Sequence, residues 1–349
     1  MRANFSLLKG HLGIGSHWYI FSLLFMAMSM LACSGVGNSK RNEVIDPFLS
    51  DIDRYTFKIN QEPGNATLYF QRAQAYASER LFDRAITDME QALSLDSIEI
   101  TYWLYASELY YTTKRVGMAR SAIEKALSIN PTHLEANMRM GELQYYLGDY
   151  ASAMQYLDQA LVIDRFHAKA YFIKGMIFKE NGDTALAISS FQTTIEQDPD
   201  YFHAYMMLGN IFADQHERIA VNYYNNAIRV NPEMTEAHYA LGYFLQEHGN
   251  PKGAIKVYDD LLAIDPHHVP AMHNMAYTFL FYMNMPEDAI PWFTKALESD
   301  STFFLAAYHR GYAHEMLGNK SNAVRDYTHA LRMYPEMELA QKGLSRVKK

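Results

Sequence analysis

Fourteen histidines and one cysteine carry most of the chemical reach of this 349-residue chain, and their spacing limits what they can do. His267 and His268, followed by His273, form the only local cluster, with no i, i+4 partner and no flanking carboxylate motif. His309 and His314 are five apart, so they do not share a helix face. The sequence holds no His-Glu-x-x-His, no phosphate-cradling glycine loop and no Gly-x-Ser-x-Gly. Gly13 and Gly15 fall in an N-terminal apolar segment and say nothing of nucleotide binding. A single thiol cannot make an internal disulfide or a cysteine-based zinc site. The expectation is a non-enzyme with no catalytic residue, metal, cofactor or evident small-molecule substrate.

The elements behind these residues must be helical and repetitive. At 49% hydrophobic and 14% aromatic, the chain is too apolar for intrinsic disorder. Gly 18 and Pro 11 exclude collagen-like and low-complexity classes. A net charge of -8 argues against nucleic acid, which wants a basic face. Met 20 and Tyr 26 suit a packed helical array with an adhesive surface.

Residues 1–17 carry Arg2 and Lys9 and no acid, and residues 18–32 carry no charge. An apolar run of about 15 residues fits the core of an export signal, whereas a spanning helix wants roughly 20. The run ends at Leu31-Ala32-Cys33-Ser34-Gly35, where the only thiol follows a small residue. It resembles a bacterial lipoprotein signal, in which the cysteine is diacylated, the signal is cut before it and the new N-terminus is acylated. Met30 stands where that family usually has leucine, with Leu31 one step closer. The resemblance implies a signal peptide over 1–32, lipidation at Cys33 and a lipidated tether over 33–46. More than one acyl chain is what stable anchoring takes. Residues 34–43 are small and polar, as a flexible tether requires. Ser34 after the cysteine implies, by the enterobacterial sorting rule, the outer membrane of a bacterial cell envelope. An ordinary cleaved signal and an uncleaved inner-membrane signal anchor are the alternatives.

Beyond this segment the chain repeats itself. Leu147-Gly148-Asp149-Tyr150, Asn181-Gly182-Asp183-Thr184, His248-Gly249-Asn250-Pro251 and Leu317-Gly318-Asn319-Lys320 align, each followed three residues on by alanine. Asn130-Pro131, Asp198-Pro199, Asn231-Pro232 and Asp265-Pro266 close several units, and the period is 34 residues with small slips. This pattern resembles the tetratricopeptide repeat, a helix-turn-helix unit, over residues 66–337. The resemblance implies an all-α, right-handed α-solenoid of eight repeats: 66–99, 100–133, 134–167, 168–201, 202–234, 235–268, 269–303 and 304–337. The fifth is one residue short and the seventh one long, and both slips are expected in the loop between the two helices.

Position 8 of each repeat is small and position 20 is alanine in all eight, which lets the first helix (A) approach the second (B). Position 24 is bulky and is expected to fill the space between repeats. Ser97, Arg165 and Ser301 replace the closing proline, which predicts looser joints there. Ile52, Tyr55 and Ile59 are spaced i, i+3, i+7 and predict an N-terminal capping helix within 47–65. Residues 338–349 predict a C-terminal capping helix, since arrays need polar ends.

In the family resembled, positions 2, 5, 9, 12 and 13 of each helix A line a concave groove. Those forty positions hold eleven aromatics here, eight acids, and only Lys169 and Lys179 as bases. The candidate peptide-binding residues are Tyr145, Tyr146, Phe172 and Met206, then Tyr239, Tyr243, His273, Tyr277, Phe281, Tyr308 and Tyr312. Repeats 6–8 are the expected hot spot, because tyrosine clusters dominate interface energetics. The basic clamp by which some family members hold acidic C-termini is missing. An aromatic, acidic groove suits a peptide with apolar anchors and some positive charge. Two or three anchors at ~1.5–3 kcal/mol each, less the ordering cost, correspond to micromolar binding. For any single aromatic, packing on its own helix B is an equal alternative.

These readings converge on a lipid-anchored, non-catalytic scaffold that binds a peptide segment of an envelope protein, with no nucleic acid involved. Lipoproteins resembling it serve barrel assembly, pilus or secretion systems, and envelope hydrolases. An accessory subunit that selects substrates for an envelope glycosyltransferase or protease, and a self-associating scaffold, are the competing readings.

Overall fold

The computed structural model describes residues 50–349, so the expected signal, Cys33 and the tether lie outside the described residues. The described chain is helical throughout and contains no strand. A first helix, α1 (Asp51–Gln61), packs on the first of eight consecutive pairs. The pairs are α2 (Ala66–Ser78) with α3 (Phe82–Leu95), α4 (Ile100–Thr112) with α5 (Val116–Ile129), α6 (Leu134–Tyr146) with α7 (Tyr150–Ile163), and α8 (Ala168–Glu180) with α9 (Thr184–Gln197). They continue with α10 (Phe202–Asp214) and α11 (Ala220–Val230), α12 (Thr235–Glu247) and α13 (Pro251–Ile264), α14 (Val269–Tyr277) and α15 (Pro286–Ser299), and α16 (Phe304–Met316) and α17 (Lys320–Met333). A last helix, α18 (Glu338–Val347), packs on α17. None of these helices is long and apolar enough to cross a membrane. The result is an α-solenoid whose A helices also touch one another, as α6 does α8, α10 does α12 and α16 does α18.

Each A helix is stopped the same way. One residue in the loop turns left-handed (Arg80, Lys114, Gly148, Gly182, His216, Gly249, Asn284, Gly318). The next N–H then reaches back over the helix end, as Leu81 does to the Tyr76 carbonyl and Asn319 to that of His314, both at 2.8 Å. The joints from helix B to the next helix A are closed by Asx turns. Asp96, Asn130, Asp164, Asp198, Asp265 and Asp300 each accept the N–H two residues on, at 2.9–3.2 Å. Ser97, Arg165 and Ser301 follow three of these residues. Joints without proline are therefore built like the others, and the expected loosening has no geometric counterpart.

The core explains the period. The eight position-20 alanines are at most 1% exposed. The bulky position-24 side chain lies against position 8 of its own repeat, and Phe293 and Tyr327 also reach the next unit, at His309 and Gly343. A Cβ on Gly175 would come within 2.6 Å of the Phe191 ring, and one on Gly242 within 2.5 Å of the Tyr258 ring. The small residue is thus a seat for a ring.

The two length slips differ: the fifth repeat's falls in the segment between its helices, ahead of Ala220, and the seventh's falls inside the first helix. In the fifth repeat the loop keeps its left-handed His216 and its return bond from Glu217 to Phe212, and α11 starts late, at Ala220. In the seventh, α14 passes into a π-helical turn over Thr278–Tyr282, and the loop stays three residues long. A loop fixed by a left-handed residue and a return bond cannot absorb a residue without losing both. A helix end can, as a π-bulge. Buried Thr278 supports the bulge by sharing its one hydroxyl proton between the Asn274 carbonyl at 2.7 Å and Gln246 Oε1 at 2.9 Å.

The two ends share one ion-paired device. Arg72 grips Asp88 through Nε and Nη2, both at 2.7 Å, and reaches Thr56 in α1. Arg310 grips Asp326 at 2.7 and 2.8 Å and reaches Thr294 in α15. Each threonine–arginine and arginine–aspartate step is 16 residues. In this device α1 takes the place that helix B of a preceding repeat takes for repeat 8.

Candidate peptide-binding face

The A helices place aromatic side chains along one face, in two groups. The larger spans repeats 6–8. Tyr277 and Phe281 lie one turn apart with centroids at 4.5 Å, and Phe281 stacks on Tyr312 of the next repeat at 5.7 Å. His309 sits among them, edge-on to Tyr277 and Phe281 and beside Tyr308. Tyr243 and Phe281 are 47% and 43% exposed, and Tyr239, Tyr277, Tyr308 and Tyr312 are partly buried. Tyr239 and Tyr308 also approach the core tyrosines Tyr258 and Tyr327 beneath them.

A polar chain runs under this group and ties three repeats together. Asn274 Nδ2 donates to the Tyr239 hydroxyl at 3.1 Å, which aims its Oδ1 at His273 Nδ1, also 3.1 Å away. That network assigns the His273 proton to Nδ1, leaving Nε2 to accept from His309 Nδ1 at 3.0 Å. Burial pushes the His273 imidazole down to about 4, and burial with the His273 ring pushes His309 well down too. Both are therefore neutral at physiological pH. This pair was not visible from residue spacing, because His273 and His309 are 36 residues apart. Only their places at positions 5 and 6 of neighbouring A helices could have suggested it.

The smaller group lies in repeats 2–4. Tyr146 and Tyr111 are 60% and 45% exposed with centroids 6.1 Å apart, and Tyr145 packs beside Tyr146 and on Tyr150. Phe172 turns away to Phe191 and Tyr201.

Two expected groove residues do not present a surface. Met206 is 1% exposed, in the core with Tyr224 and Leu241, and His273 is 7% exposed between Phe293 and Phe303. Both side chains pack between the helices and support the face from below.

The electrostatics are milder than the groove positions imply. Arg139 pairs with Glu135 at 2.6 Å and Glu108 at 3.3 Å, Lys169 with Glu142 at 2.7 Å, and Arg346 with Glu315 at 2.7 Å. Arg346 comes from α18, and its hydrogen bonds hold the Glu315 carboxyl below its ordinary range. Arg139 and Arg346 stand outside the positions counted in the sequence. Four of the eight groove acids are thus paired. An open recess of about 590 Å³ lies where Phe281, Tyr308 and Tyr312 meet this Arg346–Glu315 pair. Among the described residues, no three His, Cys, Asp or Glu side chains come together to hold a metal ion.

Three family models, each described as tetratricopeptide repeat, match residues 66–98, 110–172, 174–217 and 218–269, together more than half of the chain. The chain belongs to the tetratricopeptide repeat family. A crystal structure of the C-terminal part of a TPR repeat-containing protein from Cytophaga hutchinsonii superposes with a TM-score of 0.61 at 16% identity, covering 69% of this chain and 99% of that one. A tetratricopeptide repeat protein from Parabacteroides merdae gives 0.47 at 16% identity over 72% and 99%. YrrB, described as a TPR protein with an unusual peptide-binding site, gives 0.43 at 26% identity over 54% and 98%. A search of curated proteins finds no match. Tetratricopeptide repeats are in general non-catalytic modules that bind protein or peptide partners, and this chain is an interaction scaffold in that sense.

Proposed function

We propose that this tetratricopeptide protein is a lipid-anchored adaptor of a bacterial cell envelope. It holds a peptide segment of an envelope protein on the A-helix face of repeats 6–8. The observation that carries the reading is the aromatic group of Tyr243, Tyr277, Phe281, Tyr308 and Tyr312, with a part-buried polar chain beneath it that joins three repeats. An exposed apolar face with fixed side chains binds with little ordering cost on its own side. The partner segment supplies apolar anchors and some positive charge. The experiment is co-purification from detergent-solubilised membranes with wild type and a Tyr243→Ala/Phe281→Ala/Tyr312→Ala variant. Loss of a discrete partner in the variant is expected, and unaltered recovery contradicts the reading.

The envelope anchor is supported by the position of the sole thiol, Cys33, after an uncharged run of residues 18–32. Intact mass and membrane fractionation test it, with Cys33→Ser as the control. A chain beginning at Cys33 with added acyl mass is expected, losing its membrane residence in the variant. A full-length, unacylated chain that stays membrane-bound after the substitution contradicts lipidation.

A further inference from the structure

The geometry points to a second, separate subsite in repeats 2–4, which takes one large apolar side chain flanked by a lysine or arginine. This inference rests on the reading of the A-helix face as a peptide site and assigns a ligand chemistry to a part of it that the aromatic group of repeats 6–8 does not reach.

A cavity of about 290 Å³ opens between α4 and α6 and reaches down to α5. Its floor is apolar, from Ala119, Ile123 and Leu143. Tyr111 and Tyr146 stand at the mouth with their rings exposed. That volume is at the bottom of the ~300–1,000 Å³ range of small-molecule pockets, so it suits one side chain rather than a cofactor.

The rim sets the charge of the ligand. Arg139 is spread across one wall, donating to Glu135, Glu108 and the Leu104 carbonyl at 2.6, 3.3 and 2.9 Å. Lys169 of α8 holds Glu142 on the other wall. Three carboxylates thus face two cations, which leaves one negative charge unbalanced at the mouth. Burial, and next the Glu142 charge, raise the Tyr146 phenol, so this mouth ring offers a neutral π face to a cation. The pairs bridge α4 to α6 and α6 to α8, so the walls are fixed before any ligand arrives. A peptide that fits puts its apolar side chain on Ile123 and Leu143 and its basic neighbour between the tyrosines and the carboxylates.

The test uses the full-length protein in detergent and three fluorescein-labelled nine-residue peptides. One has a central benzoylphenylalanine flanked by two lysines, the second has glutamates in place of the lysines, and the third has alanine at the centre. The first peptide is expected to bind at least tenfold more tightly than the other two and to cross-link to α4 or α6 on irradiation. Tyr111→Ala/Tyr146→Ala, both exposed positions, lowers the cross-link yield in α4 and α6 at least tenfold, whereas Tyr243→Ala/Phe281→Ala, on the separate face of repeats 6–8, leaves that local yield unchanged. Binding that is lost only in the second variant overturns this subsite while leaving the face reading intact. Equal binding of the glutamate peptide, or no cross-link in α4 or α6 at millimolar peptide, overturns it as well. A failure of both variants to alter binding removes the face reading with it.

Discussion

His273 Nε2 lies 3.0 Å from His309 Nδ1, and this contact joins repeats 7 and 8 directly beneath the aromatic face. Both rings are packed among other aromatics, His273 against Phe293 and Phe303, His309 against Tyr277 and Phe281. Burial opposes a proton on either ring, and no carboxylate among the described residues stands against either to balance it.

Stability should therefore fall in mild acid. The folded His273 titrates at about 4, against about 6.5 when unfolded, so the unfolded chain binds more protons between these values. The contribution is complete above about pH 6.5 and is lost as the pH falls, reaching about 3 kcal/mol by pH 4. Melting temperature against pH should drop more steeply for wild type than for His273→Asn/His309→Phe. Parallel curves would show that the pair is not the source.

Gly242 and Gly117 should respond in opposite directions to alanine. A Cβ at Gly242 meets the fully buried Tyr258 ring at 2.5 Å, whereas at Gly117 nothing lies within 4 Å. Overpacking costs about 1–3 kcal/mol, while alanine at Gly117, in the first turn of α5, gains up to about 1 kcal/mol in helix propensity. Denaturant unfolding of the two variants reads both signs.

Breaking the end device should be costly, and replacing it much less so. Asp326 is 1% exposed and is gripped by Arg310 at 2.7 Å, with the exposed Arg325 farther off at 3.6 Å. Asp326→Ala strands a guanidinium at a site 15% exposed and should cost about 3–5 kcal/mol. The double variant Arg310→Met/Asp326→Leu should regain most of that loss in thermal unfolding, since an apolar pair of similar size removes the unpaired charge.

The π-bulge offers a finer probe. Thr278→Val keeps the shape and removes one donor from Gln246 Oε1, which still accepts from Tyr258 at 3.2 Å. The expected loss is about 1 kcal/mol, because the acceptor is not left empty.

How far the fold was legible depends on whether a residue acts within one repeat or across several. Ala254 and Gly242 announce themselves because their packing recurs every 34 residues, and recurrence is visible without coordinates. The slips near Thr278 and Arg218 show as a change of count, but the count cannot say that the one at Thr278 lies inside a helix. The site was less legible. Tyr243 and Phe281 could be placed on the face from the helical period, since a side chain on the outer edge of a helix has nowhere else to go. Met206 and His273 could not be told from surface residues, because position 5 is buried in their repeats but only partly buried at Tyr239 and Tyr308. His309, Arg139 and Arg346 act across a repeat boundary, and their partners lie 31–36 residues away in sequence.

The central claim is that a partner is held on the aromatic face of repeats 6–8. The most direct measurement is photo-crosslinking in living cells with benzoylphenylalanine at position 281, beside a control at position 252, which is exposed on α13. The account predicts one adduct of discrete mass from position 281, absent from position 252 and lost when Tyr243 and Tyr312 are changed to alanine. Adducts of equal yield from both positions, or none from position 281, would contradict it.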